Sequence, residues 1–512
     1  MENEVPVRQN IGCDTPMVLH PGDLAMIITP EQAALKAQQR FESLLGLVHQ
    51  AGQDGQRIDT VERDLFRHLL ALGYDLLTVF VAHQGDGDQG PEVEAADGHT
   101  VRRLPERHDR RYVSIFGALT LTRVVYGTRE GQKIESVPLD RRLGLPEGDF
   151  SYVLEDWSQR FCLKESFAEA GRSLEMLLGL DLGRRTLEQR NRDVAGYATG
   201  VRESIEPPSP EQEGPLLVVT ADGKGVPMRK PEPDGPRRHH RRGKGEKANK
   251  KQMACVGAVY SIEPFVRTAG DILDEVLRKK RSKDRPRPQH KHVWAEMIRE
   301  VEGQPSVTAK DGLFCQLYDE LTLRNLGQDR PVICLMDGER SLWDAQRAYF
   351  PEAVGVLDLF HVLERVWAVA HCFHKEGSEE AEQFVEERLR DLLEGRVDAV
   401  IEDFRRQMIG VRLRGPKRKV VRSAIEYLEN NRDHLRYDEY LAAGYPIGSG
   451  VAEGACRHLV KDRMEQTGMR WTLAGAQAML HVRAFYLNDQ WEDFLEYRIE
   501  QEQIGLYGRV AA

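Results

Sequence analysis

The sequence predicts a mixed α/β protein whose sheet is interrupted by an all-helical segment. Short continuous apolar runs at 215–220 and 331–336 are typical of central strands that are buried on both faces. Helical periodicity alternates with these runs, and between about 362 and 436 it replaces them entirely. The 512 residues are too many for a single hydrophobic core, so we expect two to four domains.

The composition is that of a water-soluble globular chain. Hydrophobic residues make up 40% and charged residues 30%, and 24 Pro and 45 Gly are too few for a largely disordered chain. No apolar run approaches the roughly 18 residues of a membrane span, and the N-terminus lacks a signal-peptide core. We therefore expect a cytoplasmic protein without membrane association. The seven cysteines are odd in number and include no C-x-x-C pair, which argues against a disulfide framework and a zinc ribbon.

The first part of the chain, residues 1–100, is predicted to be an N-terminal helical region. Apolar residues recur there at helical spacing, as Val61, Leu65 and Leu69 do. A break rich in Gly and Asp at 85–98 follows these helices.

Residues 101–206 are predicted to combine a β-hairpin with a helix-turn-helix-like DNA-binding region. The segment 112–126, YVSIFGALTLTRVVY, places β-branched and aromatic residues around Gly117, as a hairpin or two short strands would. Farther on, 165–178 and 186–194 have the lengths of a helix–turn–helix pair. Helix pairs of this size are common, so a purely structural pair is the alternative to DNA recognition.

A proline-rich linker at 207–210 precedes the predicted core. Two strands at 253–262 and 264–268 are expected to pair antiparallel across a tight turn, and the alternation of helix and strand that follows predicts a mixed sheet. Helices are expected at 312–326 and 341–349 and a further strand at 353–357. We place the first part of the core at 207–361, a helical insertion at 362–444, and the C-terminal helices of the core at 445–512.

Positive charge is concentrated in three segments, although the whole chain carries a net charge of -10. Segment 229–251 has ten Lys/Arg against three acids, 278–291 has eight against one, and 412–422 has six and none, which gives +7, +7 and +6. Such segments are typical of a polyanion-binding protein; solvated loops that keep the chain soluble are the alternative. The candidate DNA contacts in the first segment are Arg237, Arg238, Arg241 and Arg242.

Two aspartates follow apolar strands, each in an Asp-Gly pair. Asp222 lies in LLVVTADGKG and Asp337 in VICLMDGER. The ends of strands are where α/β folds place functional groups. If the two strands are neighbours, the carboxylates meet, and a divalent cation such as Mg²⁺ or Mn²⁺ would relieve their repulsion. The alternative is that both are turn residues, because Asp-Gly is a common turn dipeptide.

A third carboxylate, Glu453, lies in GYPIGSGVAEGACRHLVKDRMEQTGMRW. Ser449 or Gly450 can cap a helix whose first turn carries Glu453. The alternative role for Glu453 is to complement the helix dipole.

Cations surround these acids in the sequence, which suits phosphodiester chemistry because acids hold metals while cations position a nucleic-acid backbone. Lys224 is either a phosphate contact or a solvent-exposed turn lysine. Trp471 is either a core residue or a stacking surface for a base. The candidate DNA contacts near the acids are Lys224, Arg457, Lys461, Arg463, Arg470 and Trp471.

The segments TADGKGVPMR, CLMDGERSLW, DLFHV and YPIGSGVAEGACRHLVKDRMEQTGMRW resemble, in this order, the core motifs of bacterial insertion-sequence transposases of the ISKra type. The resemblance covers roughly residue 215 to the C-terminus. The hairpin segment, followed by VPLDRRLGLP, also looks like the N-terminal half of that family.

The resemblance implies a DDE-type DNA transposase with a ribonuclease-H-like fold, interrupted by a helical insertion between the second Asp and the Glu. It implies that Asp222, Asp337 and Glu453 are the catalytic triad and bind two Mg²⁺ or Mn²⁺ ions. The reaction would be cleavage of the element's DNA ends and transfer of the 3′-OH to target DNA, by an assembly of at least two protomers on double-stranded DNA. A non-catalytic DNA-binding protein and a metal-dependent nuclease without strand transfer are the alternatives.

The DLFH segment resembles the C-or-D-x-x-H motif that related transposases with helical insertions carry after the second Asp. Asp358 follows a third apolar strand, so Asp358 and His361 are possible accessory residues that approach the metals or the DNA strand. The alternative is that Asp358 caps the following helix and that His361 forms a hydrogen bond inside it.

Overall fold

The computed structural model describes residues 28–95, 98–128, 134–229, 251–278, 285–300 and 305–508. The chain divides into two compact units. The N-terminal unit runs to Leu154 and includes the segment from Glu502 onward, and the sheet unit is Glu155–Gln501. Arg237, Arg238, Arg241 and Arg242 lie outside the described residues, so their DNA contacts stay predictions, as do the domain limits given above.

Two long helices of the N-terminal unit pack against each other, α1 (Pro30–Gln53) and α2 (Ile58–Gln84). A capping box starts α1, because the Thr29 hydroxyl accepts from the Gln32 backbone N–H and the Gln32 side chain accepts from the Thr29 N–H. The buried carboxylate of Asp75 in α2 pairs with two cations of α1. The helical spacing of Val61, Leu65 and Leu69 is confirmed by α2, whereas the limits 1–100 of the helical region stay a prediction.

Helix α2 is long and apolar enough to cross a membrane by length and composition. An 18-residue window of it has a mean hydropathy of 1.5, and 6% of that window is buried. The expected lack of membrane association therefore stays a prediction.

The strands of the N-terminal unit form a small antiparallel sheet and a separate hairpin. The sheet contains β1 (Glu92–Glu94), β2 (Thr100–Arg103) and β5, and the hairpin joins β3 (His108–Ser114) to β4 (Gly117–Arg123). Gly117 has a φ of 132° at the turn, so the hairpin predicted around it is confirmed. The remaining elements are β5 (Tyr126–Gly127) and α3 (Pro138–Leu143).

Four helices lie between α3 and the main sheet along the chain. Helix α5 begins at a capping box formed by Ser166 and Glu169 and ends at Gly179, which has a φ of 69°. The predicted helix pair is therefore present in the structure. Its recognition of DNA stays a prediction. The four are α4 (Tyr152–Cys162), α5 (Phe167–Leu178), α6 (Arg184–Ala195) and α7 (Ala198–Ser204).

The five-stranded main sheet has the order β10-β9-β6-β7-β8. Its central strand β6 pairs with β9 in parallel and with β7 antiparallel, and β10 and β8 complete the two edges. The expected mixed sheet is confirmed. Its strands are β6 (Leu216–Pro227), β7 (Lys251–Ile262), β8 (Gln289–Glu296), β9 (Val332–Met336) and β10 (Val354–Leu357).

The prediction that residues 264–268 form the antiparallel partner of β7 is wrong. Residues 264–268 are not a strand, and β8 pairs with β7 instead. Pro264 has no N–H for a ladder, and Thr268 begins α8 (Ala269–Val276) in a capping box with Asp271.

Helices cover the sheet and then replace it along the chain. The all-helical segment expected after the third parallel strand is confirmed, and stacking of Phe384 on Phe404, with ring centroids 6.1 Å apart, helps to form its core. The helices that follow β8 are α9 (Ala309–Arg324), α10 (Arg340–Tyr349), α11 (Leu359–Phe373), α12 (Glu379–Leu393), α13 (Val397–Gly410), α14 (Gly415–Asn430) and α15 (Tyr437–Ala442).

The last helices return to the main sheet. Helix α16 packs on β6 and β7, and a π-helical turn at Cys456–Lys461 continues it. The final elements are α16 (Gly450–Ala455), α17 (Asp462–Met464), α18 (Leu473–Leu487) and α19 (Trp491–Tyr507).

Candidate functional site

Asp222 and Asp337 lie next to each other on the paired strands β6 and β9, at the point where β9 ends. Ala221 is in register with Met336, so the following residue on each strand is the aspartate. Neighbouring strands are about 4.8 Å apart, so the two side chains emerge close together. The structure therefore brings this carboxylate pair together, as the sequence predicted.

The position of Asp222 differs from the prediction in one respect. It lies inside β6 rather than after it, because β6 continues to Pro227 and pairs Asp222 with Val256 of β7. The alternative that Asp222 and Gly223 form a turn is wrong. Asp337 does start a turn, since its Oδ1 accepts a hydrogen bond from the Glu339 N–H at 2.8 Å.

Burial and the neighbouring Asp222 carboxylate raise the pKa of Asp337, opposed by the Glu339 N–H and by His361. A raised folded-state pKa means that the folded protein binds this proton more readily than the unfolded chain. Ionised Asp337 therefore costs stability, and the cost grows as the pH rises from the ordinary value of 3.8 through the folded pKa.

Asp337→Asn is therefore expected to make the protein more stable than the wild type at pH 7, in a buffer with chelator. The difference should shrink as the pH is lowered through the raised pKa of Asp337, because the wild-type carboxyl then takes up its proton. Urea unfolding at a series of pH values measures this. Asp344→Asn, which removes an exposed charge on α10, is the control, and a variant less stable than this control at pH 7 would contradict the argument.

Glu453 lies on the first turn of α16, with its side chain exposed. One turn later, the thiol of Cys456 lies 3.5 Å from Asp222 Oδ2. Ala452, Ala455 and Cys456 form the buried face of this helical segment, and Glu453 lies at the exposed border of that face. Within the described ranges, however, no three His, Cys, Asp or Glu side chains are close enough to hold a metal ion. The structure places Glu453 on the helix that packs on β6 and β7 and does not join it to the two aspartates.

Cys456 is a member of the site that the sequence reasoning missed. Burial and Asp222 raise the pKa of its thiol, so the thiol stays protonated and donates to the Asp222 carboxylate. The sequence signal that could have identified Cys456 is its position three residues after Glu453.

Asp358 is fully buried and caps α11. Its Oδ1 accepts from the Phe360 N–H at 2.7 Å, and its Oδ2 accepts from the N–H of Ser449 at 2.9 Å and from the Ser449 hydroxyl. The idea that Asp358 itself approaches metals or DNA is corrected, because both oxygens are used and the side chain has no exposed surface. Asp358 instead positions the residue that precedes α16.

His361 lies half-buried on the first turn of α11, close enough to Asp337 to oppose the rise of its pKa. No hydrogen bond from its ring is found within the described part of the chain, so the alternative of an internal hydrogen bond is not seen. Its accessory role at the carboxylate pair stays a prediction.

The all-helical segment also supports the site. The Tyr427 hydroxyl of α14 donates to the backbone carbonyl of Asp337 at 2.7 Å. The next residue, Gly338, has a φ of 89° and lies against Leu357 and Tyr427. The sequence contained no sign of this contact, since 90 residues separate its two partners.

Among the predicted cations, Lys224 lies in β6 two residues after Asp222, and therefore on the same face of the sheet. It is half-buried and close enough to Cys456 to oppose the rise of the thiol's pKa, so the alternative of an exposed turn lysine is wrong. Arg457 and Lys461 are exposed on the π-helical turn, and their DNA contacts stay predictions.

Two predicted DNA contacts are corrected. Arg463 is completely buried, and its Nε donates to the Cys162 carbonyl at 2.6 Å. Trp471 is 7% exposed, and its indole N–H donates to the Met464 carbonyl at 3.1 Å. The guanidinium of Arg463 lies 5.0 Å from the Trp471 ring centroid, so each covers the other. Of the two alternatives for Trp471, the structure therefore supports a core residue. Arg470, in contrast, is exposed.

No family model and no curated protein matches this chain. Among solved structures, the chain is similar to the Drosophila P element transposase strand transfer complex, with 11% sequence identity and a TM-score of 0.23. The likeness covers 69% of this chain and 81% of that chain. A likeness with so low a TM-score carries no argument, so the resemblance to ISKra-type transposases depends on the quoted motifs alone.

Proposed function

We propose that this chain is a DDE-type DNA transposase of a bacterial insertion sequence. The observation that carries the proposal is the pair of aspartates on neighbouring parallel strands, Asp222 and Asp337, with Glu453 on the helix packed against β6. Three antiparallel strands followed by two parallel strands support a ribonuclease-H-like sheet. The five helices between Asp337 and Glu453 that follow β10 match the insertion that the motif resemblance implies.

The donor set fits a divalent metal in part. Asp222 and Asp337 are adjacent carboxylates, and the pKa of Asp337 is raised in part by the charge of Asp222. Oxygen ligands of this kind suit Mg²⁺ or Mn²⁺. The two aspartates would hold the ions, and Glu453 would complete the set once its exposed side chain turns toward them. Bound there, a divalent ion stabilises charge on a phosphoryl oxygen and activates an oxygen nucleophile.

The chemistry would proceed in two transfers at one site. In the first, a water oxygen bonds to phosphorus at the element's end, and the bond from phosphorus to the 3′ oxygen breaks, leaving a 3′-OH and a 5′-phosphate. In the second, that 3′-OH bonds to a target phosphorus and expels the target's 3′ oxygen. The chain contributes rigid placement of the acids, since β6 and β9 are paired up to them and Asp358 anchors Ser449 at the start of α16.

A joining assay tests this function. Labelled duplexes taken from the DNA on either side of the coding sequence, with free 3′-OH ends, are incubated with the full chain, Mg²⁺ and a supercoiled plasmid. We expect labelled plasmid to form, and none when the 3′ end is a dideoxynucleotide, because that end has no attacking hydroxyl. Shortened strands without joined product would identify a nuclease instead, and bound but unchanged duplexes would identify a DNA-binding protein without catalysis.

A further inference from the structure

A polar cleft in the sheet unit lies outside the carboxylate site. It has a volume of about 830 Å³ and lies between α5, the start of α6, and the loop from Gln466 to Trp471. Ser166, Arg184 and Thr472 stand at or next to the first residues of α5, α6 and α18, so three helix N-termini line it. Helix N-termini carry partial positive charge.

Arginine side chains give the cleft most of its charge. Arg184, Arg185, Arg229 and Arg470 line it and are exposed. Arg184 and Arg185 form no ion pair or side-chain hydrogen bond with any other described residue.

The two acids of the cleft already have partners. Glu169 completes the capping box of α5, and Glu188 pairs with Arg192 at 3.1 Å. The charges of Arg184 and Arg185 are therefore not neutralised by these acids.

The floor of the cleft adds an independent observation. Arg463 lines the floor, is 0% exposed, and has a terminal nitrogen, Nη2, without a hydrogen-bond partner in the described part of the chain. Burial lowers the pKa of Arg463 to about 10, so it is still charged at pH 7. A buried cation that pairs with no carboxylate is costly, and an anion in the cleft above it would offset that cost.

The cleft is connected to the carboxylate pair by a single strand. The Trp471 N–H donates to the Pro227 carbonyl at 3.0 Å, and the Arg229 N–H donates to the Trp471 carbonyl at 2.7 Å, so the end of β6 holds the cleft loop. The seven residue steps from Asp222 to Arg229 span at most roughly 23 Å. This corresponds to about seven base-pair steps of duplex DNA.

We propose that this arginine cleft binds the phosphate backbone of the duplex DNA whose reactive phosphate lies at Asp222 and Asp337. The proposal depends on the function proposed above and adds Arg184, Arg185 and Arg229 to the DNA-contacting residues. Arg463 acts from below by its charge and does not touch the DNA.

The test is equilibrium binding of a short labelled duplex to the full chain, in chelator so that no strand is cut, over a series of salt concentrations. The variant is Arg184→Gln/Arg185→Gln, whose exposed side chains can change without disturbing the core. We expect the slope of log affinity against log salt to become shallower by about 1.8, because each lost phosphate contact removes about 0.9. Affinity at low salt should fall at least about tenfold.

The matched control is Arg347→Gln/Arg406→Gln, which removes two exposed arginines from surface ion pairs outside the cleft. Its slope should equal that of the wild type. An unchanged slope and affinity in the cleft variant would overturn the proposal. It would also be overturned if inorganic phosphate bound saturably and needed Arg184 and Arg185, while duplex binding did not depend on these two residues. If the chain failed in the joining assay but its salt slope still depended on Arg184 and Arg185, the proposed transposase function would be refuted and the proposed DNA binding by the cleft would stand.

Discussion

Asp222→Asn is expected to lower the rate of strand transfer at least about a thousandfold, because the proposed function assigns metal binding to this carboxylate and its loss would remove several kcal/mol of transition-state stabilisation. DNA affinity should remain that of the wild type, because the substitution removes no cation. The fold should also survive. Asp222 is half-buried within β6, and its main-chain pairing with Val256 does not involve the carboxylate.

The measurement pairs a time course of joining with duplex binding in chelator. Asp344→Asn, on the surface of α10, controls for the loss of one negative charge and should join at the wild-type rate. If Asp222→Asn joined DNA as fast as this control, Asp222 would not belong to the catalytic machinery.

Gly338→Ala is expected to lower the free energy of unfolding by about 2 to 5 kcal/mol, the sum of a left-handed backbone and an overfilled site. Its φ of 89° is a conformation that residues with a Cβ rarely adopt. A Cβ there would lie 2.8 Å from Leu357 Cδ1 and 3.0 Å from Tyr427 Cε2. Relief of either contact moves the turn that holds Asp337, so joining should fall as well.

Gly377→Ala is the matched control, since Gly377 has a φ of 75° and a Cβ added there would meet nothing within 4 Å among the described residues. It should lose about 1 to 2 kcal/mol, the backbone part alone. Denaturant unfolding of both variants separates the two costs. Equal losses would show that contact with Leu357 and Tyr427 is unimportant.

Strands buried on both faces were predictable from the sequence, whereas the edge strand β8 was not. The runs that became β6 and β9 are continuously apolar because neighbouring elements cover both sides of them. In β8 the first four residues, QHKH, are exposed or half-exposed, and only the last four are buried. An edge strand of this kind lacks the apolar signal, and the prediction therefore chose the apolar residues nearer to β7.

The candidate site was predictable where it depends on local sequence and not where it depends on packing. An aspartate after an apolar run of residues is a local pattern, and it led to Asp222 within β6 and to Asp337 after β9. The burial of Arg463 beneath Trp471, and the hydrogen bond from Ser449 to Asp358 across 91 residues, result from how distant helices meet. Composition near the site indicated cations but could not tell which of them face solvent.

The full-length pairing of β6 has a mechanical consequence. All twelve residues of β6, from Leu216 to Pro227, pair with residues of β7. Asp222 and the strand end that holds the Trp471 loop therefore belong to one continuous strand pair. For the proposed function, we therefore expect any conformational change on DNA binding to occur in elements outside this strand pair. Helix α16 has only six residues before its π-helical turn, and π-helical turns occur frequently at functional sites. For the function proposed above, Glu453 is therefore the residue that we expect to move, toward two aspartates that are held by paired strands.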